Sequence, residues 1–248
     1  MSLRIQAIFL VFLAGLGLWS GCGQDADLAD PTDPLAIPAA APDLALLALG
    51  DSYTVGQGLP ARWSWPLQLA DSLAVTGDSL RTVDIIAQTG WTTRDLLAAL
   101  RDRLAHGPLS AAPYDLVTLM IGVNNQFQGL DPVLFAADLD TLIAMSIELA
   151  GHDPARVLGF SIPDYGVTPV GEMFGSARIA VEIESHNVIL RDKFDERGIV
   201  LLDITTLSRL AEDEPDLVAR DGLHYSQEMY ARWVTLMLPA VRTCLMLP

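Results

Sequence analysis

From residue 44 onward, short apolar runs alternate with longer amphipathic ones. The apolar runs at 44–49, 83–87, 116–121, 157–162 and 199–204 predict strands. Most of them lack polar alternation, as a strand buried on both faces does. The stretches 66–75, 93–106, 132–150, 177–197 and 227–246 predict helices. Strand and helix taking turns in this way predicts an α/β fold, a three-layer α/β/α sandwich around a flavodoxin-like five-stranded parallel sheet with right-handed crossovers. With 248 residues the chain is long enough for one such domain, assigned to 43–248, and it carries no internal repeat. In an open parallel sheet, ligands bind beyond the carboxyl ends of the strands, so the loops that follow the apolar runs are where chemistry is expected.

The first 42 residues have a different pattern. Arg4 is the lone charge before an apolar stretch over 5–19. That stretch is shorter than the roughly 20 residues of a membrane-spanning helix, and small residues follow it, which reads as an export signal. Leu18-Trp19-Ser20-Gly21-Cys22 resembles the lipobox of bacterial lipoproteins, with Trp19 where leucine is usual. The resemblance implies a signal peptide over 1–21 and lipid on Cys22. An ordinary signal peptide or an uncleaved anchor is the alternative. Gly23 follows Cys22 in place of the aspartate that marks inner-membrane retention in some bacteria, so the resemblance favours a lipid anchor in the outer membrane or periplasm; a periplasmic or secreted protein is the alternative. Residues 22–42, rich in Asp, Ala and Pro, read as an extended tether. The only other cysteine is Cys244, so a lipidated Cys22 leaves no disulfide.

The formal net charge of -16 repels phosphate backbones, which argues against a nucleic-acid partner. No Cys/His cluster has metal-ligand spacing, and neither a metal nor another cofactor is expected.

Two segments stand out as chemistry. Gly50-Asp51-Ser52-Tyr53 follows the first apolar run directly, as a strand running into a tight turn that carries a serine. Asp221-Gly222-Leu223-His224, near the other end, offers a histidine with a carboxylate three residues before it and a glycine to bend the chain between them. A serine becomes a nucleophile beside a base, and the base works when a third group orients it. Taken singly, each segment also fits a plain turn or helix cap.

In combination, Gly50-Asp51-Ser52-Tyr53, Gly90, Gly122-Val123-Asn124-Asn125 and Asp221-Gly222-Leu223-His224 resemble the SGNH branch of the GDSL hydrolases, in the family's order and each at an expected strand end. Ser64-Trp65-Pro66 and Ile162-Pro163-Asp164-Tyr165-Gly166 also look like bacterial members of the group. The resemblance implies a triad of Ser52 as nucleophile, His224 as base and Asp221 as its orienting acid. It implies an oxyanion hole from the backbone N–H groups of Ser52 and Gly90 and the side-chain amide of Asn124. Two positions depart from the family pattern. Asn125 replaces a frequent aspartate, and Tyr225 stands where proline is common.

His106, His152 and His186 are read as structural or solvated. Trp63, Trp65, Trp91, Phe127, Tyr165 and Phe174 fall near the expected catalytic rim, where an aromatic ring packs a loop, stacks on a sugar or lines an acyl slot. The resulting expectation is a serine esterase that forms an acyl-enzyme and removes small acyl groups from a carbohydrate or similar ester. A lysophospholipase or thioesterase with a longer acyl slot is the second reading. A non-catalytic binding lipoprotein on the same scaffold is the third.

Overall fold

The structure is a computed structural model and describes residues 43–247. The expected export signal, Cys22 and tether lie outside the described residues. Five strands, β1 (Leu44–Gly50), β2 (Leu80–Ala87), β3 (Leu116–Met120), β4 (Val157–Phe160) and β5 (Val200–Leu202), form one parallel sheet in the order β2-β1-β3-β4-β5. This is the expected flavodoxin-like order.

The pattern of burial explains the pattern of sequence. Every residue of β1, β3 and β4 is buried, and these central strands are apolar or glycine at every position but Thr118, whose hydroxyl donates to the Leu47 carbonyl at 3.4 Å. The edge strands β2 and β5 are only partly covered. On β2 the first residues include Arg81 and Thr82, and so the ladder extends three residues further back than the apolar run 83–87. β4 and β5 stop earlier than their apolar runs. At the end of β4 side chains take over from the ladder: the Asn187 Oδ1 accepts the Ile162 N–H at 2.8 Å, and the Ser161 Oγ accepts the Ile204 N–H at 3.0 Å.

The long helices fall close to the predicted stretches: α2 (Trp65–Val75), α3 (Thr93–Ala105), α5 (Pro132–Leu149), α7 (Ser176–Asp195) and α9 (Gln227–Cys244). Helix α2 packs on α9, α3 on α5, and α5 on α7. Four short helices were not predicted: α1 (Ser52–Val55), α4 (Val123–Phe127), α6 (Pro169–Glu172) and α8 (Thr205–Ser208). A single helical turn has no room to display a 3.6-residue period. All four begin just past a strand or in the loops that follow one.

Register brings the interesting loops level. Gly50 at the end of β1 lies opposite Ala87 on one side and Met120 on the other. Ser52, Gly90 and Asn124 follow those three residues by two, three and four positions. Three loops distant in sequence therefore leave the sheet side by side.

Candidate active site

At the β1 end the chain turns straight into α1, which starts at Ser52. The Asp51 carboxylate caps this turn, its Oδ1 accepting the Tyr53 N–H at 3.1 Å. Asp51 is only 1% exposed, and burial pushes its carboxyl up to about 7 even against that hydrogen bond. Ser52 is 5% exposed.

Asp221 and His224 are paired as the spacing suggested. Gly222, at φ 74°, makes the bend between them. The Asp221 Oδ2 lies 2.8 Å from the His224 Nδ1, while its Oδ1 accepts the backbone N–H of Leu223 at 3.0 Å and of His224 at 2.9 Å. Burial works to raise the Asp221 carboxyl, but these hydrogen bonds and the neighbouring ring hold it below the ordinary carboxylate range. The loop itself is pinned at both ends. Val218 and Tyr225 form an antiparallel bridge, and the Ala219 N–H donates to the His224 carbonyl at 2.7 Å. The His224 ring also meets the Tyr53 ring edge-on at 5.6 Å between centroids. The acid thus occupies Nδ1 and leaves Nε2 as the nitrogen able to exchange a proton with a substrate or nucleophile.

Ser52, Gly90, Asn124 and His224 line one cavity of about 280 Å³. Among the described residues no backbone or side-chain acceptor takes the N–H of Ser52 or of Gly90. Gly90 has φ 86°, and a Cβ there would meet nothing within 4 Å. The glycine is required by its backbone conformation rather than by crowding from the protein. One amide proton of Asn124 goes to the Trp91 carbonyl at 2.9 Å, which fixes the side chain and leaves its second proton free. The Ser52 hydroxyl makes no hydrogen bond with His224 in this structure. Such contacts often tighten only when substrate binds.

The remaining lining is Tyr53, Thr89, Val123, Phe127, Tyr165, Val170, Phe174 and Leu223. Of the aromatic residues expected near the rim, Phe127, Tyr165 and Phe174 form one wall. Phe127 stands edge-on to both others, at 6.1 and 5.6 Å. Trp65 is instead fully buried against Phe160, and Trp63 and Trp91 do not line the cavity. Val170 and Thr89 were not anticipated. Val170 sits on α6, held to the histidine loop by its N–H on the Gly222 carbonyl at 2.9 Å, and no sequence pattern marks a residue placed by a contact 52 positions away.

Both departures from the family pattern have structural places. The Tyr225 ring is fully buried on Tyr53 and Trp233, and its hydroxyl donates to the Asp164 carbonyl at 2.8 Å. Asn125 is buried and bonded to Thr93. The other histidines lie elsewhere: none of His106, His152 and His186 lines the cavity, and the His186 ring is packed on Phe135 with Nδ1 on the Glu182 carbonyl.

Residues 48–232 match the GDSL-like lipase/acylhydrolase family. The chain belongs to that family. Its members are carboxylic ester hydrolases, and the five-stranded parallel sheet is the family's fold. An arylesterase of Vibrio mimicus is 33% identical over 122 residues, which is 49% of this chain and 57% of that protein, so the chain spans little more than half the length of this relative. The crystal structure of TesA has a TM-score of 0.60 at 21% identity, covering 81% of this chain and 99% of that one. An acetylxylan esterase from Geobacillus stearothermophilus, solved as a catalytic mutant, has a TM-score of 0.62 at 15% identity and covers 81% of this chain and 95% of that one. At these identities the two structures share the fold with this family member.

Proposed function

We propose that this chain is a serine ester hydrolase that works through an acyl-enzyme, with Ser52, His224 and Asp221 as its triad. The observation that carries the reading is the shared cavity of Ser52, Gly90, Asn124 and His224, with Asp221 at 2.8 Å behind the histidine. Ser52 Oγ attacks the ester carbonyl while His224 Nε2 takes its proton. The N–H groups of Ser52 and Gly90 and the free amide proton of Asn124 hold the oxygen as it becomes negative, each contributing on the order of 3 kcal/mol to the barrier reduction. His224 returns the proton to the leaving alcohol, and water repeats the sequence on the acyl-serine. Asp221, kept ionised by its own hydrogen bonds, steadies the imidazolium formed in both halves.

The lining favours an ester with an apolar acyl or aryl part. Val123, Phe127, Tyr165, Val170, Phe174 and Leu223 offer hydrocarbon. The Thr89 hydroxyl spends its proton on the Gln57 Oε1 at 2.7 Å, so it offers a sugar hydroxyl only an acceptor. This supports the longer acyl slot over small acyl groups on a carbohydrate. The acetylxylan esterase neighbour shares the fold and does not decide the substrate. The test is turnover of p-nitrophenyl esters of increasing chain length, with Ser52→Ala as control and a phosphonate probe mapped by mass spectrometry. An optimum at medium length, lost in Ser52→Ala, is expected, with the probe on Ser52 alone. An optimum at acetate would return the deacetylase reading. No ester turnover at all would leave a binding protein on a hydrolase scaffold.

The export and lipid-anchoring expectation is part of the same proposal, and its support is the sequence around Cys22. Cys22→Ala should move the protein from the membrane to the soluble fraction with its esterase activity intact. Retention in the membrane would mean that residues 5–19 act as an uncleaved anchor.

A further inference from the structure

Asn125 stands where the family often has an acid, and its side chain does not reach the cavity. It is 2% exposed and makes two hydrogen bonds to one residue. Its Oδ1 accepts the Thr93 N–H at 3.0 Å, and its Nδ2 donates to the Thr93 Oγ1 at 2.9 Å. The residue before it, Asn124, donates to the Trp91 carbonyl at 2.9 Å. Two consecutive side chains on α4 thus grip the 90–93 loop at two points, one residue and three residues beyond Gly90.

From this geometry we infer that Asn125 is a positioning residue of the oxyanion hole, one that sets the spacing between the Gly90 N–H and the Asn124 amide. The inference rests on the proposed roles of Gly90 and Asn124. One hydrogen bond is a hinge; a loop held only at Trp91 could swing about it. The two bonds to Thr93 remove that freedom. The fit is complete in both directions, because an amide accepts with one atom and donates with the other. Asn125 is not the N-cap residue of α3, and its Oδ1 takes only the first helical N–H, that of Thr93. Thr92 and Asp95 already form a reciprocal capping box there, with the Thr92 N–H on Asp95 Oδ2 at 2.9 Å and the Asp95 N–H on Thr92 Oγ1 at 3.3 Å. The bonds to Thr93 are additional, and what they join is the pair of loops carrying two of the three oxyanion donors.

Preorganised donors lose their value steeply with small displacements, and a misplacement of about 1 Å costs on the order of 10²-fold in rate. Asn125→Leu keeps the branched shape of the side chain and makes neither bond. It should lower kcat by roughly 10- to 100-fold and leave KM within about twofold. Asn125→Asp can accept from the Thr93 N–H and, with the hydroxyl reversed, from Thr93 Oγ1, so it should restore kcat to within about threefold. Thr93→Val removes one of the two bonds from the other side and should show an intermediate loss that is not additive with Asn125→Leu. Steady-state kinetics on one p-nitrophenyl ester, read well below each variant's melting temperature, checks all three. Unchanged kcat in a folded Asn125→Leu, or a fall in melting temperature alone, would overturn the inference. If Asn125→Leu does not fold, Thr93→Val decides alone: a lower kcat at constant KM supports the clamp, and wild-type kcat refutes it. Asn124→Ala separates the two levels of argument. Wild-type activity there would sink the oxyanion assignment itself, whereas a crippled Asn124→Ala beside a fully active Asn125→Leu would sink only the clamp.

Discussion

Asp51 is a buried acid whose burial works against its charge, and that predicts how stability depends on pH. Its side chain is 1% exposed, and its carboxyl is raised from the ordinary 3.8 to about 7. Between those values the folded chain holds a proton that the unfolded chain has released. The unfolded state then binds fewer protons, so stability falls as pH rises. The contribution is complete below about pH 4 and lost above about pH 7. At about 1.4 kcal/mol per pH unit, a span of roughly three units is worth about 4 kcal/mol. Asn at this position cannot ionise and keeps an oxygen to accept the Tyr53 N–H. Urea unfolding of wild type and Asp51→Asn, followed by tryptophan fluorescence from pH 4 to pH 8 at constant ionic strength, measures the effect as a difference. Asp221, Asp203 and Glu182, whose carboxyls are held low, are common to both proteins and cancel. The unfolding free energy of the variant relative to wild type should rise by about 4 kcal/mol across that range. A gap constant to within about 1 kcal/mol would mean that Asp51 ionises in the fold as it does in water, and the argument from burial would be wrong.

Three further outcomes follow from the same geometry. Asn124→Ala removes one of the proposed oxyanion donors and should lower kcat by roughly 10²–10³ with a smaller change in KM; a rise in KM alone would make Asn124 a binding residue. Asp221→Asn should cut kcat by on the order of 10⁴, because an amide against Nδ1 can hold the wrong tautomer; an enzyme within threefold of wild type would exclude Asp221 as the working acid. Tyr225→Phe loses the hydroxyl bond to the Asp164 carbonyl and leaves a buried acceptor unmatched, at a cost of about 1–3 kcal/mol in chemical denaturation; an unchanged midpoint would show that ring packing alone holds this loop.

The legible part of this protein was the part written in short-range patterns. β1, β3 and β4 are buried on both faces, so hydrophobic selection acts on every residue and the runs show plainly. The long helices repeat their pattern over several turns. The pairing of Asp221 with His224 needs only a bend within four residues, and Gly222 announces it. Ser52, Gly90 and Asn124 were singled out by their resemblance to the family's blocks, and each follows a strand end by a few positions.

Other features depend on which distant residues come together, and they were decided by the tertiary structure. Sheet order and register set Gly50, Ala87 and Met120 level, and so turned three separate loops into the wall of one cavity. The apolar character of that cavity comes from Phe127, Phe174 and Val170 on short helices or the loops beside them, elements too brief to carry a period. Trp65 shows the converse: its composition and position suggested a rim, and the fold buried it under Phe160. Asn125 and Tyr225 looked like departures from a pattern until contacts 32 and 61 residues away supplied their partners. A local sequence specifies the conformation of a turn because the forces that shape it act between neighbours. It specifies a partner across the sheet only through the packing of everything between, and that is settled when the layers close.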